Sequence, residues 1–328
     1  MTDGGPRRIL SIDGGGVRGI IPAVALAALE EQTGTPARDQ FHFLAGTSTG
    51  ALIAAALAVG IPAREVVALY VDRAPRLFRR LPVLSTLRRV ASGHMYDVRA
   101  LHRLILAELG ARADVRLNEL DRDVMVTAKG VVDGHQWYFV RDQPGHNACR
   151  TGDLRLADCL TASAAAPTFF APWSINELRG RGLLVDGGTG VAGNPTYQSC
   201  VEAFTFADGY DPADTVVVSL GTGHFLDRRP PTWLWPWLTW LLAELLRSPG
   251  EQQTELVQRH YGAARFYRID VRLERDIPLD AVDRAGELRA IGDRLATHLD
   301  WPAILRGEET AWRVERGTTL PEDYARRV

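Results

Sequence analysis

The sequence predicts an α/β fold in which a mostly parallel central sheet is flanked by helices. Apolar runs of strand length alternate with apolar runs of helix length through much of the chain. Twice, a glycine-rich turn joins such a strand directly to a helix, at residues 13–19 and 46–50. Both turns contain residue types that serve chemistry as well as chain reversal, so they also predict where the functional site lies.

Length and composition fit one domain over residues 1–328, with a motif-bearing core at about 8–223 and a completing or regulatory region at about 224–328. Hydrophobic residues make up 46% and charged residues 24%, which predicts a buried core. The net charge of −2, with no basic run flanked by aromatics, argues against nucleic-acid binding.

The cysteine pattern indicates a reducing compartment, and the N-terminal residues do not resemble a secretion signal. Cys149, Cys159 and Cys200 lack C-x-x-C spacing, so we expect small buried hydrophobes and no metal site. The N-terminal residues lack the apolar core of a signal peptide, and no apolar stretch is long enough to span a bilayer. We therefore expect a cytoplasmic protein, with contact to the inner face of the membrane left open.

The second turn has the G-x-S-x-G pattern of a nucleophile elbow. It reads Gly46-Thr47-Ser48-Thr49-Gly50. The apolar run 41–45 before it predicts a strand, and the run 51–59 after it predicts a helix. In such an elbow the glycines relieve clashes in a sharp turn that holds the serine oxygen clear of the backbone. The simpler alternative is an ordinary strand-to-helix turn with a capping serine.

The first turn lies between a predicted strand at 8–12 and a predicted helix at 20–31. It reads Asp13-Gly14-Gly15-Gly16-Val17-Arg18-Gly19. Its spacing matches the G-x-G-x-x-G of dinucleotide sites, which need an acidic residue at the end of the second strand. Glu30 and Glu31 lie near the required distance but at a helix end, so this use is disfavoured. The loop is better suited to an oxyanion hole, in which backbone N–H groups face a developing negative charge.

Together these motifs resemble the patatin-like phospholipase family, which pairs a D-G-G-G-x-R/K-G loop with a G-T-S-x-G elbow and a later D-G-G or D-G-A. The third motif here is Asp186-Gly187-Gly188, after a predicted strand at 182–185. Residues 157–170 resemble the family's A-S-x-A-A-P-x-x-F stretch, and Asn194-Pro195 fits as well. Ala51 departs from the glycine that many members carry. The resemblance spans about residues 8–223.

The resemblance implies a three-layer patatin-like fold and a phospholipase of A type that cleaves fatty-acyl esters of membrane phospholipids. Ser48 would form the acyl-enzyme and Asp186 would act as the base, in a dyad without histidine, metal or cofactor. The implied oxyanion donors are the N–H groups of Gly14, Gly15 and Gly16. Asp13 would shape the loop, and Arg18 would steady the loop or a phosphate.

Several alternatives stay open at this point. A Ser–Asp–His triad would take its histidine from His224, His260 or His298, which follow Asp186 in the chain. A non-catalytic lipid- or nucleotide-binding protein would need no elbow. Some bacterial patatin-like phospholipases that resemble this chain are nucleotide-activated effectors that degrade the cell's own membrane during anti-phage defence, so a cyclic-nucleotide activator is a further expectation from resemblance.

Two segments outside the motifs suggest contact with membranes. Arginines and apolar residues alternate at 73–89, which predicts a solvated cap or a lid on anionic lipid. Trp233, Trp237 and Trp240 share one face of a predicted helix at 231–246. That helix is expected to be buried, to form a homodimer, or to lie at the bilayer interface.

Overall fold

The structure is a computed structural model that describes residues 5–73, 75, 93–143, 150–178, 180–225, 232, 237, 252–314 and 325–326. Within these residues one mixed sheet contains nine strands. They are β1 (Arg7–Ile12), β2 (Phe43–Gly46), β3 (Asp123–Gly130), β4 (Gln136–Phe139), β5 (Trp173–Ser174), β6 (Leu183–Asp186), β7 (Thr215–Leu220), β8 (Arg265–Val271) and β9 (Ala325–Arg326).

The sheet has the strand order β5-β6-β3-β2-β1-β7-β8-β9, with β4 paired to β3 outside this path. Along this path every neighbouring pair from β3 to β9 is parallel, whereas β3 pairs with β4 and β6, and β5 pairs with β6, in antiparallel fashion. This confirms the predicted α/β class with a mostly parallel sheet.

Helices cover the sheet. The α-helices with both ends among the described residues are α1 (Ile20–Thr33), α2 (Ala37–Gln40), α3 (Thr49–Ala58), α4 (Ala63–Ala68), α5 (Val98–Leu109), α6 (Leu156–Ala164), α7 (Thr196–Val201), α8 (Ala285–Ala296) and α9 (Trp301–Arg306), and residues 252–260 are helical as well. Successive residues of β1 enter different cores: Leu10 and Ile12 join the larger hydrophobic cluster, and Ile9 joins the smaller one. Because side chains alternate across a strand, both faces of the sheet are covered, which gives three layers.

Several element boundaries differ from the predictions. The strand expected at 41–45 runs Phe43–Gly46, because α2 ends just before Phe41 and that ring packs in the core. The sequence also predicts a helix at about 63–72, but the segment is α-helical only to Ala68 and continues as a π-helical turn, Leu69–Arg73. A further helix, predicted by its amphipathic pattern at 281–299, is α8, which is preceded by the 3₁₀ turn Val282–Arg284.

Other expectations concern particular residues and segments. Cys159 and Cys200 are free and buried, as expected, and Cys149 lies outside the described residues. The arginine-rich stretch beyond Arg73 and the tryptophan segment, apart from Trp237, also lie outside the described residues. Among the described residues, no helix combines the length and the apolar character needed to cross a bilayer.

Candidate active site

Ser48 sits in a strained turn between β2 and α3. Its backbone has φ 54° and ψ −120°, a conformation that non-glycine residues rarely adopt. A Cβ atom at Gly46 would overlap the backbone of Gly50, and a Cβ at Gly50 would overlap the carbonyl of Ile12. These overlaps explain why both flanking positions are glycine. The turn is therefore as sharp as the elbow pattern predicts.

The residues beside Ser48 anchor the elbow to its surroundings. The buried Thr47 hydroxyl lies 2.7 Å from that of Thr127 on β3, and it donates to the carbonyl of Ala192. The Thr49 hydroxyl hydrogen bonds to the Tyr70 hydroxyl in the π-helical turn. With both neighbours tied to other elements, the serine between them has little freedom to move.

Sheet geometry brings Asp186 to the elbow. Val126 of β3 pairs with Gly46 of β2 on one edge and with Phe139 of β4 on the other. Ala128 pairs with both β4 and Asp186, so β6 lies on the same edge of β3 as β2. Because β6 runs antiparallel, its last residue, Asp186, faces the end of β2 and the serine that follows it.

Asp186 is only 7% exposed, and burial raises the pKa of its carboxyl from 3.8 to about 6. The Gly188 N–H donates to Asp186 Oδ1 at 2.8 Å, and both the nearby Ser48 hydroxyl and this N–H oppose the rise in pKa. A Cβ at Gly187 would overlap the Thr127 hydroxyl, which accounts for the glycine after the acid. The result is a basic carboxylate in contact with a strained serine.

The glycine loop is tied at both ends. The Gly14 N–H donates to the Gly193 carbonyl at 2.9 Å, and the Gly14 carbonyl accepts from the Thr222 hydroxyl at 2.9 Å. The Val17 N–H donates to the Leu279 carbonyl at 2.8 Å. Of the three predicted oxyanion donors, Gly14 is thus already engaged. Within the described residues, the N–H groups of Gly15 and Gly16 have no partner.

Close neighbours require the loop residues to be glycine. A Cβ at Gly15 would overlap the Thr222 side chain, and a Cβ at Gly16, which has φ 56°, would overlap Leu279. A Cβ at Gly19 would overlap the Thr49 hydroxyl. Arg18 lines the adjoining cavity, with its Nε 3.4 Å from the Gly15 carbonyl. Burial lowers the pKa of this guanidinium, whereas Asp276 opposes the change.

A cavity of about 620 Å³ opens from this site. At its polar end lie Ser48, Asp186 and the glycine loop. The rest of its wall is mainly apolar and comes from α3, α4, α5, α6 and the segments that follow α6, β7 and β8. The lining side chains there include Leu52, Ala56, Ile61, Val66, Leu101, Leu104, Ile105, Leu160 and Phe169. The arrangement combines a strained serine and a buried carboxylate with a large, mainly apolar cavity.

The three candidate histidines lie in different places. His224 lines the cavity, but its Nδ1 lies 3.2 Å from the Asp270 carboxylate, not at Asp186. His260 hydrogen bonds to Tyr197, and the His298 ring to the Arg294 carbonyl; neither lines the cavity. Within the described residues, none of these three histidines hydrogen bonds to Ser48 or to Asp186.

Two residues that contact the site were not among the predicted site residues. The Ser163 hydroxyl on α6 accepts from the Ser48 N–H at 2.9 Å. Arg268 on β8 donates to both carboxylate oxygens of Asp13. Ser163 lies within the Ala-rich stretch that resembles the A-S-x-A-A-P-x-x-F motif, so the sequence contained a signal that could have identified it. Arg268 lies in an ordinary β-strand sequence and had none.

Comparison with known proteins places these features in a family. Residues 10–198 match the family described as patatin-like phospholipase. The chain is 32% identical over 227 residues to a cGAMP-activated phospholipase of Escherichia coli strain TW11681, covering 66% of this chain and 62% of that protein. It is 33% identical over 248 residues to patatin-like protein 2 of Arabidopsis thaliana, covering 66% of this chain and 60% of that protein.

Other similarities extend over more of the chain. A cGAMP-activated phospholipase of Vibrio cholerae serotype O1 is 28% identical over 302 residues, covering 84% of this chain and 83% of that protein. Among solved structures, VipD from Legionella pneumophila aligns with a TM-score of 0.42 and 11% identity, over 89% of this chain and 67% of that one.

The family match covers more than half of the chain and contains all three motifs. It confirms the family that the motifs resemble. Several relatives are longer proteins, of which this chain spans about three fifths. The chain belongs to the patatin-like phospholipase family, a family of serine acyl hydrolases.

Proposed function

We propose that this protein is a lipid acyl hydrolase that cleaves fatty-acyl esters of membrane phospholipids. The observation that carries the proposal is the convergence of the strained Ser48 and the buried Asp186 carboxylate at the polar end of a mainly apolar cavity. In this proposal Ser48 is the nucleophile and Asp186 is the general base.

The chemistry follows from these two groups and the glycine loop. Ser48 Oγ attacks the ester carbonyl as Asp186 accepts its proton, and the Gly15 and Gly16 N–H groups stabilise the resulting oxyanion. Collapse expels the lysophospholipid alkoxide, which takes the proton from Asp186, and leaves an acyl-enzyme on Ser48. Asp186 then deprotonates a water molecule that attacks this ester; fatty acid leaves and Ser48 is reprotonated.

The cavity supports a fatty-acyl substrate over a small polar ester. Its apolar wall removes hydrocarbon from water, which contributes about 0.8 kcal/mol for each buried methylene. A chain of many carbons therefore gains much more than an acetyl group. The headgroup would remain at the mouth, where the protein meets the membrane surface.

Fatty-acid release from phospholipid vesicles tests the proposal. We expect Ser48→Ala to lower release by about 10⁴-fold or more, because the covalent intermediate is lost. Ser174→Ala, at an exposed serine on β5, is the matched control and should retain full activity. Equal release by wild type and Ser48→Ala, in folded proteins, would refute the assignment.

A second candidate function is the same hydrolysis switched on by a cyclic dinucleotide. The observation that favours it is the similarity to the Vibrio cholerae cGAMP-activated phospholipase over 84% of this chain, a length that reaches past residue 223. We expect release from vesicles to rise at least tenfold when cGAMP is added. Full activity without nucleotide, unchanged by cGAMP, would remove this candidate and leave the first.

A further inference from the structure

The loop Gly14-Gly15-Gly16 has no side chains of its own to hold it. Glycine samples more backbone conformations than other residues, so three in succession need external contacts to stay in one arrangement. The N–H groups of Gly15 and Gly16 lack partners within the described residues. The N–H groups of Gly14 before them and Val17 after them are held by hydrogen bonds. What holds Asp13, the residue before the glycines, therefore affects where these N–H groups point.

Arg268 holds Asp13 from β8. Its Nη1 donates to Asp13 Oδ1 at 3.0 Å and its Nη2 to Oδ2 at 2.6 Å, a two-pronged contact that fixes both distance and plane. Nη1 also donates to the Ser219 hydroxyl at 2.8 Å. Arg268 is 5% exposed, so water competes little for these bonds.

A second carboxylate fixes the guanidinium itself. Asp270 Oδ2 accepts from Arg268 Nη2 at 3.0 Å and lies 3.2 Å from His224 Nδ1. Asp270 Oδ1 accepts from the N–H groups of Gly223 and Val271, at 3.0 and 2.9 Å. Both carboxylate oxygens of Asp270 are thus engaged, and the Arg268 guanidinium is held between the carboxylates of Asp13 and Asp270.

The same part of the chain contacts the far end of the loop. Leu279, in the segment between β8 and α8, accepts from the Val17 N–H through its carbonyl. Asp280 beside it accepts from the Tyr96 hydroxyl at 2.8 Å. Both ends of the glycine loop therefore contact residues that lie beyond 198, where the match to the family ends.

We propose that Arg268 is a positioning residue for the oxyanion loop: through its two-pronged contact with Asp13, it keeps the Gly15 and Gly16 N–H groups aimed at the developing oxyanion. Asp270, held by His224 and two backbone N–H groups, keeps Arg268 in place. The C-terminal region thereby controls the rate of a reaction whose nucleophile and base it does not supply. This inference rests on the proposed hydrolase function.

The geometry predicts a particular kinetic effect. The loop would act on the tetrahedral oxyanion more than on the bound ester, so a displaced loop lowers kcat more than it changes KM. Losing one well-placed oxyanion donor typically lowers kcat by about 10²- to 10³-fold. Lysine keeps the charge of Arg268 but presents one nitrogen where arginine presents a planar fork.

The test is steady-state hydrolysis of a soluble acyl ester by wild type, Arg268→Lys, Asp13→Asn, Arg265→Lys and Ser48→Ala. Arg265 is the matched control: it lies on the same strand but pairs with Asp214 and the Ala213 carbonyl, away from the loop. Circular dichroism and thermal unfolding establish that each variant is folded. Arg268→Gly, assayed with and without millimolar guanidinium, is the rescue arm.

We expect Arg268→Lys to lower kcat by about 30- to 300-fold with KM within about threefold of wild type. Arg265→Lys should keep wild-type kcat. Guanidinium should raise the kcat of Arg268→Gly at least tenfold and leave that of Ser48→Ala unchanged. If Arg268→Lys does not fold, Asp13→Asn carries the test and should show the same division between kcat and KM.

Wild-type kcat in folded Arg268→Lys, or in Asp13→Asn, would overturn the inference, and so would a rise in KM with kcat unchanged. These outcomes differ from a failure of the proposed function. In that case wild type would be inactive, or Ser48→Ala would be as active as wild type, whatever Arg268 does.

Discussion

The polar and apolar ends of the cavity are built in opposite ways. The polar end consists of loops that follow strands, held by hydrogen bonds from distant elements such as α6, β8 and the segment after β8. The apolar end consists of side chains on regular helices, α3 to α6. Catalysis at the polar end therefore depends on the exact positions of a few atoms, so a small displacement there should lower the rate strongly. Binding at the apolar end depends on the volume of the cavity, so exchange of one apolar side chain for another should have a smaller effect.

Replacing Asp186, the proposed base, is the strongest way to test this difference. We expect Asp186→Asn to lower kcat by about 10³-fold, because general-base catalysis commonly contributes 10²- to 10⁴-fold. Since the base acts on the serine and not on the chain, the loss should be the same for short and long acyl esters. Steady-state assays with an acetyl and a palmitoyl ester measure this.

Asp283→Asn, at an exposed aspartate before α8, is the control and should be as active as wild type. A loss confined to long acyl chains would mean that Asp186 acts on substrate fit and not on proton transfer.

The same substitution should stabilise the fold at neutral pH. Burial raises the pKa of Asp186 to about 6, so the folded state is penalised when this carboxyl ionises. Wild type therefore loses stability as the pH rises from about 4 through about 6, by about 3 kcal/mol for a shift of roughly two pKa units. A neutral asparagine at this position carries no such penalty, so Asp186→Asn should be the more stable variant above pH 6.

Urea unfolding of both proteins from pH 4.5 to 8 measures the difference. The advantage of the asparagine variant should grow by about 2 kcal/mol over this range and level off above pH 7. If the difference in unfolding free energy between the two proteins does not change with pH, the pKa of the Asp186 carboxyl is not raised in the folded state. Wild-type kcat/KM should fall below about pH 6, since only the ionised base accepts a proton.

At the apolar end we expect a smaller and selective effect. Ala56 lines the cavity on α3, and Ala56→Leu adds three carbons that displace about as many methylenes of a bound chain. At about 0.8 kcal/mol each, kcat/KM for a palmitoyl ester should fall by about 50-fold, with an acetyl ester unaffected.

Ala28→Leu, on a partly exposed position of α1 outside the cavity lining, is the matched control. Equal losses for the two esters would contradict the separation of the cavity into two ends.

The sequence predicted those parts of the site that depend on local geometry. The elbow needs glycine at 46 and 50 because the turn closes on its own backbone, and the loop glycines meet Thr222 and Leu279 directly. Such steric demands leave a pattern in a few consecutive residues. Asp186 was predicted to be the base because it follows a predicted strand and begins the D-G-G motif of the family that the chain resembles.

What the sequence could not predict was how distant residues meet. Arg268 contacts Asp13 across 255 positions, and Ser163 contacts Ser48 across 115. Neither pairing leaves a local pattern, because any strand can carry an arginine and any helix a serine. β6 pairs in antiparallel fashion with the same edge of β3 that β2 occupies, which brings Asp186 near Ser48. This arrangement likewise depends on strand order and not on the spacing of residues in the sequence.

Trapping the acyl-enzyme tests the central claim most directly. Wild type is mixed with an activated butyryl ester, quenched in acid during turnover, digested and analysed by mass spectrometry. The account predicts one butyryl group on the peptide that contains Ser48, a smaller amount formed by Asp186→Asn at equal times, and none on Ser48→Ala. Sustained turnover with no adduct at Ser48, or with the adduct on another residue, would contradict it.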